Sequence, residues 1–153
     1  MSLTNMFRDS LINSIDGISR EVSAFAREAD IWAVNGSVTN SAGTLSLHLI
    51  GSMNHFIGST LGNTGYVRDR VSEFSQRNVP RDVILSNIAE VREMINLTFS
   101  MLTDADLEKI FPLSTFGEGR TTAYVLILLS SHASYHLGQM NYLRRTLDGV
   151  LHG

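Results

Sequence analysis

Cysteine is absent from the 153 residues. That absence removes disulfides, a thiolate zinc site and a cysteine nucleophile together, so any thiol chemistry must use a thiol that arrives with a substrate. Long apolar runs are missing too. No stretch reaches the ~18 apolar residues of a membrane span, and Arg8 and Asp9 interrupt the N-terminus before any long apolar segment. Neither a transmembrane helix nor a signal peptide is expected, and a cytoplasmic location is the expectation. An excess of basic charge is also lacking. The net charge is −3, and the arginines are scattered from Arg8 to Arg145 without forming a stripe, so nucleic acid is not an expected partner. Arg144 and Arg145, near the last helical turn, suit the helix dipole better than a phosphate groove. There is no internal repeat, no low-complexity tract and no strand with convincing alternation. What remains is one domain, 1–153, whose 43% hydrophobic content is ample for a single core.

The most informative stretch is Ser131-His132-Ala133-Ser134-Tyr135-His136-Leu137-Gly138-Gln139-Met140. At 100° per residue, Val125, Leu128, Leu129, His132, His136, Gln139, Leu143 and Leu147 share one arc, so the imidazoles point where the aliphatic side chains point. A buried imidazole needs a hydrogen-bond partner or a metal. Two at i and i+4 lie about 6 Å apart on one helix face, a spacing that lets both reach one ion. Two ligands do not close a site, so a third is expected from another helix, with His48 the best candidate. His55 stands seven residues beyond it, about 10.5 Å along the axis, too far for both to bind the same ion comfortably. One of the two is therefore secondary.

The remaining pattern is helical. Leu3, Phe7, Leu11, Ile15, Ile18, Val22, Phe25 and Ala29 form an amphipathic stripe of about seven turns, which Gly17 weakens without ending. Residues 30–43 lose the period and read as a loop carrying the only tryptophan, Trp32, expected as a hydrophobic plug with a substrate-facing role as the alternative. A second helix is expected from about Ser41–Thr44 to Gly62, with Gly51 and Gly58 marking close approach of another element. Residues 63–81 are polar with isolated apolar anchors and long enough to cross a bundle, which permits the second and third helices to run parallel. The third helix is expected over about Asp82–Leu102, with Pro80 suited to its first turn, and Thr103 with Asp106 resembles a capping box. Thr121 or Thr122 caps a fourth helix running to about Leu147. Glu28, Asp30, Glu73 and Glu118 lie in or near loops and read as solvated. Tyr124, Leu126, Ile127 and Tyr135 lie off the histidine stripe, so the fourth helix is apolar around more of its girth than one buried face requires, and a helix-face homodimer is expected to cover them.

Four long helices with one crossover make a bundle, where metal sites are built from facing helices. A neutral, histidine-rich donor set suits zinc, nickel, cobalt, copper or ferrous iron rather than magnesium or calcium. Thr44-Leu-Ser-Leu-His48-Leu-Ile-Gly-Ser-Met-Asn54-His55-Phe-Ile-Gly, followed far downstream by His132-Ala-Ser-Tyr-His136-Leu-Gly-Gln139, resembles the DinB/YfiT-like superfamily over nearly the whole chain. The resemblance implies an all-α four-helix bundle of down-up-up-down topology with a long crossover between helices two and three, frequent homodimers, and a divalent transition metal such as zinc, nickel or iron. By position the ligands would be His48, His132 and His136. Members with an assigned activity are thiol-dependent enzymes, including bacillithiol S-transferases and mycothiol-dependent maleylpyruvate isomerases. The implied function is a metal-dependent enzyme acting on a small molecule, with a thiol-dependent S-transferase as the specific form. A metal-dependent hydrolase and a non-catalytic metal-binding or interaction bundle are the alternatives. Gln139, Asn54 and Trp32 are expected beside the ligands or in the substrate pocket, Gln139 because an unpaired amide on an inward face would be costly.

Overall fold

The computed structural model describes residues 2–151; residues 1, 152 and 153 of the expected single domain lie outside them. Ser2 caps α1 (Leu3–Ala24) by accepting from the Asn5 N–H, and Leu11, Ile15, Ile18, Val22 and Phe25 bury the expected stripe. The helix stops five residues short of Ala29. Arg27 makes a two-pronged pair with the Asp30 carboxylate at 3.0 and 2.8 Å. This closes a 3₁₀ turn (Glu28–Trp32) that sends Ile31 into the core and leaves Ala29 exposed. Asp30 is consequently buried, not solvated.

Ser41 caps α2 (Ala42–Met53) through the Thr44 N–H. A π-helical segment (Asn54–Ser59) continues it, with i→i+5 bonds from Thr60 N to the His55 carbonyl and from Gly62 N to that of Ile57. The helix was expected to run unbroken to Gly62. Met53, Phe56 and Ile57 are all buried along this stretch, and the wider turn falls where the second helix gives way to the crossover.

The crossover carries its own short helix, α3 (Arg70–Ser75), capped by Asp69 through the Ser72 N–H. Pro80 is the residue before α4 (Arg81–Met101), whose Ile84, Ile88, Val91, Ile95, Thr98 and Phe99 face inward. The Asp106 carboxylate accepts from both the N–H and the hydroxyl of Thr103, starting α5 (Asp104–Leu107). A single bridge between Ile110 and Thr121 leads into α6 (Thr122–Leu151), and the Thr121 hydroxyl accepts from the Tyr124 N–H as its cap.

Contacts between the helices give their directions. Ser14 meets Ser134, Gly17 meets Leu137, and Glu21 meets Asn141 and Arg144, so α1 and α6 run parallel. Asp16 meets Arg92, while the Phe25 carbonyl accepts from Arg81, so α4 is antiparallel to α1. Gly58 lies against Met94 and Gly62 against Thr98, so α2 and its continuation run parallel to α4. The bundle is all-α and down-up-up-down, with the 63–80 crossover joining the parallel α2 and α4. Leu126 is fully buried in the core and does not belong to the outward apolar face of α6. Tyr124, Ile127, Tyr135 and Tyr142 do, with 38–73% of each exposed.

Candidate metal centre

Two helices deliver three imidazoles to one point. His48, on the buried edge of α2, directs Nε2 to within 3.1 Å of the His132 Nε2 on α6, and one turn further the His136 Nε2 lies 2.9 Å from the same atom. The three nitrogens lie within 4.8 Å of one another. Bonds of ~2.0–2.1 Å to a tetrahedral zinc would place ligand nitrogens ~3.3 Å apart, so the 3.1 and 2.9 Å separations about His132 are compatible with one transition ion. His48 is buried, whereas His132 and His136 are half-buried.

The outer ring nitrogens decide which way the lone pairs face. The His48 Nδ1–H donates to Glu73 Oε2 at 3.0 Å, and the His136 Nδ1–H donates to Gln139 Oε1 at 2.6 Å. Both tautomers are thereby fixed with bare Nε2 atoms pointing at His132. A neutral His132 can donate through Nε2 to only one of them, so the trio cannot satisfy itself by hydrogen bonding. A cation at the centre would satisfy all three.

Electrostatics keep the His48 and His132 rings neutral. Burial pushes His48 below the ordinary histidine range by more than the Glu73 hydrogen bond raises it. His132 is pushed down to about 4, chiefly by burial, with His136, His48, Arg68 and Arg70 acting in the same direction. Glu73 goes the other way from a buried acid. Burial raises it, but hydrogen bonds from Arg68 and His48 outweigh that and hold it below the usual carboxylate range. The His48–Glu73 contact is therefore a neutral imidazole donating to a carboxylate.

Glu73 and Arg68 are the functional residues that sequence reasoning missed. Glu73 reads as solvated but is 6% exposed. Arg68 grips it through Nε at 2.6 Å and Nη2 at 2.8 Å, a buried fork-to-carboxylate pair behind the His48 ring. Gly51 makes room, since a Cβ there would overlap the Glu73 carboxylate. The available signal was Asp69-Arg-Val-Ser72-Glu73-Phe74, a capping residue followed by a short helical turn in the otherwise polar crossover.

The other expected residues distribute unevenly. Gln139 reaches His136 as a hydrogen-bond partner, but it is exposed rather than inward, because it sits where α6 borders a cavity instead of the core. Trp32 packs over Gly43 and donates its indole N–H to the Val79 carbonyl at 3.2 Å, pinning the crossover to the loop as a plug. Asn54 begins the π-helical segment, half-buried. His55 lies against Phe56, ring centroids 4.7 Å apart, outside the three-histidine group.

Two cavities flank the cluster. One of about 590 Å³ reaches His136 and Gln139 beneath Tyr135 and Tyr142. The other, about 380 Å³, reaches His48 and His132. Neither is lined by a carboxylate, and Asn54 and Trp32 line neither.

Among solved structures, the chain is similar to the crystal structure of a DinB-like protein from Bacillus cereus. The TM-score is 0.73 at 17% identity, with 93% of this chain and 91% of that one covered. At that identity the likeness is one of fold, and the fold is DinB-like. No curated protein matches. The sequence matches the model of the family described as Protein of unknown function (DUF1572) over residues 4–150, and the chain belongs to that family.

Proposed function

We propose that this protein is a divalent-transition-metal enzyme whose ion is held by His48, His132 and His136, and that its reaction is transfer to or from an exogenous low-molecular-weight thiol. The observation that carries the reading is the set of three converging Nε2 atoms with two tautomers locked by Glu73 and Gln139. Structural zinc sites are closed by a fourth protein ligand, whereas three ligands leave room for a reactant. Both flanking cavities abut the cluster, so a reactant has access.

The choice of nucleophile follows from what the cavities lack. A bound divalent ion lowers the pKa of a coordinated thiol or water. A free thiol ionises near 8.5 and water near 15.7, so a thiol needs far less help to become a nucleophile at neutral pH. With no carboxylate lining either cavity and Glu73 already engaged by Arg68 and His48, a reaction that needs no separate protein base is favoured. The chain itself supplies no thiol.

The test is elemental analysis of purified protein, followed by thiol consumption with a panel of small thiols and 1-chloro-2,4-dinitrobenzene, before and after metal removal. Metal-dependent consumption of thiol supports the transferase. Metal-dependent cleavage of a nitrophenyl ester without thiol turns the reading to a hydrolase, and stoichiometric metal with neither activity reduces it to a metal-binding bundle.

A further inference from the structure

The two cavities beside the histidines differ in charge. The larger has no arginine, lysine or carboxylate in its wall, and its polar groups include Asn35, Asn40, Gln139 and Tyr142. The smaller brings Phe56, Phe116, Leu128 and Leu129 together with two guanidinium groups, those of Arg68 and Arg70. The two arginines are not equivalent. Arg68 spends its charge on the buried Glu73 carboxylate through two hydrogen bonds. Arg70 has no ion pair among the described residues, and its guanidinium lies over the Phe74 ring, 5.5 Å from the centroid. Phe74 in turn packs on His48, with ring centroids 4.9 Å apart.

We propose that this smaller cavity is a subsite for the anionic group, a carboxylate or similar oxyanion, of an otherwise apolar substrate, and that Arg70 recognises it. Stacking on an aromatic face holds a guanidinium in a fixed plane while leaving its N–H edges free, the arrangement that suits a planar, two-pronged oxyanion. Phe56, Phe116, Leu128 and Leu129 line the same cavity, so a ligand would bury an apolar body against them while its charged end meets Arg70. No acidic side chain lines the cavity to compete for that guanidinium. No arginine or lysine lines the larger cavity, so among side chains it is the smaller cavity that offers a guanidinium to a negatively charged substrate. At about 380 Å³ the space falls within the range of small-molecule sites.

The assignment rests on the metal-enzyme reading, and the experiment separates the two. Zinc content is measured first. Isothermal titration then compares benzoate with benzamide, which share shape and differ in charge, on zinc-loaded and metal-free protein. Wild type is expected to bind benzoate at least ten-fold more tightly than benzamide. Arg70→Met should abolish that preference and Arg70→Lys should keep part of it, both with unchanged zinc content and melting temperature. Equal affinities for the two probes in wild type, or a full preference retained by Arg70→Met with stoichiometric zinc, overturns the subsite while leaving the metal reading intact. If wild type holds no stoichiometric zinc yet metal-free protein still shows an Arg70-dependent preference for benzoate, the subsite stands and the metal reading falls.

Discussion

His48 and His136 point at the same nitrogen from unlike surroundings. His48 is buried, and the partner that orients it is an ionised carboxylate from a different helix, itself clamped by a buried arginine. His136 is half-buried, and its partner is a neutral amide three residues along its own helix, open to solvent. The first arrangement depends on the crossover folding back onto α2. The second depends on nothing beyond helical geometry. One side of the site is thus set by tertiary structure and a buried charge, the other by local structure, and perturbations should reveal that asymmetry.

The largest effect belongs to the shared nitrogen. His132→Ala, and with it His48→Ala and His136→Ala, should abolish stoichiometric metal by elemental analysis. Each should also lose the metal-dependent gain in melting temperature, worth ~4 kcal/mol when free metal is ~1,000 times the dissociation constant. His55→Ala should keep both, and if it empties the site while His48→Ala does not, the pairing of α2 with α6 is wrong.

Next comes the buried partner. Glu73→Ala leaves Arg68 and His48 facing an uncompensated hole, so we expect a loss of about 3 kcal/mol in urea unfolding of metal-free protein. Metal affinity should also fall ~10- to 100-fold. Gly51→Ala should give a weaker version of both, because the added methyl overlaps the Glu73 carboxylate. Wild-type behaviour in either variant would remove Glu73 from the site.

Acid should act on the same region. His132 is neutral in both folded and unfolded chains above its ordinary value of 6.5, but only the unfolded chain takes up its proton as the pH falls from 6.5 toward about 4. Metal-free protein should therefore lose stability across that window and gain it back as pH rises. Urea midpoints measured at half-unit steps for wild type and His132→Gln test this, since the variant's curve should be flatter between those limits.

The mildest effect at the site is expected on the local side. Gln139→Leu should weaken metal by ~10-fold at most and leave the melting temperature of metal-free protein unchanged, because the amide is exposed and its one bond is within a helix turn. A loss as large as that of Glu73→Ala would erase the contrast between the two sides. Smaller still is a test remote from the ion. We propose that Tyr124, Ile127, Tyr135 and Tyr142 on α6 pair with a second copy of the chain. Light scattering at micromolar concentration should give a dimer mass, and Ile127→Glu should lower it without altering metal content.

How far the sequence reaches is clearest residue by residue. The i, i+4 spacing of His132 and His136 needs only a helix to bring two nitrogens together, and a 3.6-residue period in 122–147 is enough to expect that helix. The same holds for the buried stripes of α1 and α4 and for the Thr103–Asp106 cap, whose signals lie within a few residues of each other. The end of α1, the wider turn after Met53 and the burial of Glu73 have no such local signature. Ile31 displaces Ala29 from the core, Phe56 and Ile57 both find room there, and α3 carries Glu73, with Arg68 from the segment just before it, against His48, because of where distant segments pack. Local hydrogen bonding and side-chain period determined the helices and the histidine pair from the sequence itself. Which groups surround His48, and with what charge, was decided only when the crossover closed over α2, since a buried ion pair forms where the fold excludes water from both partners at once.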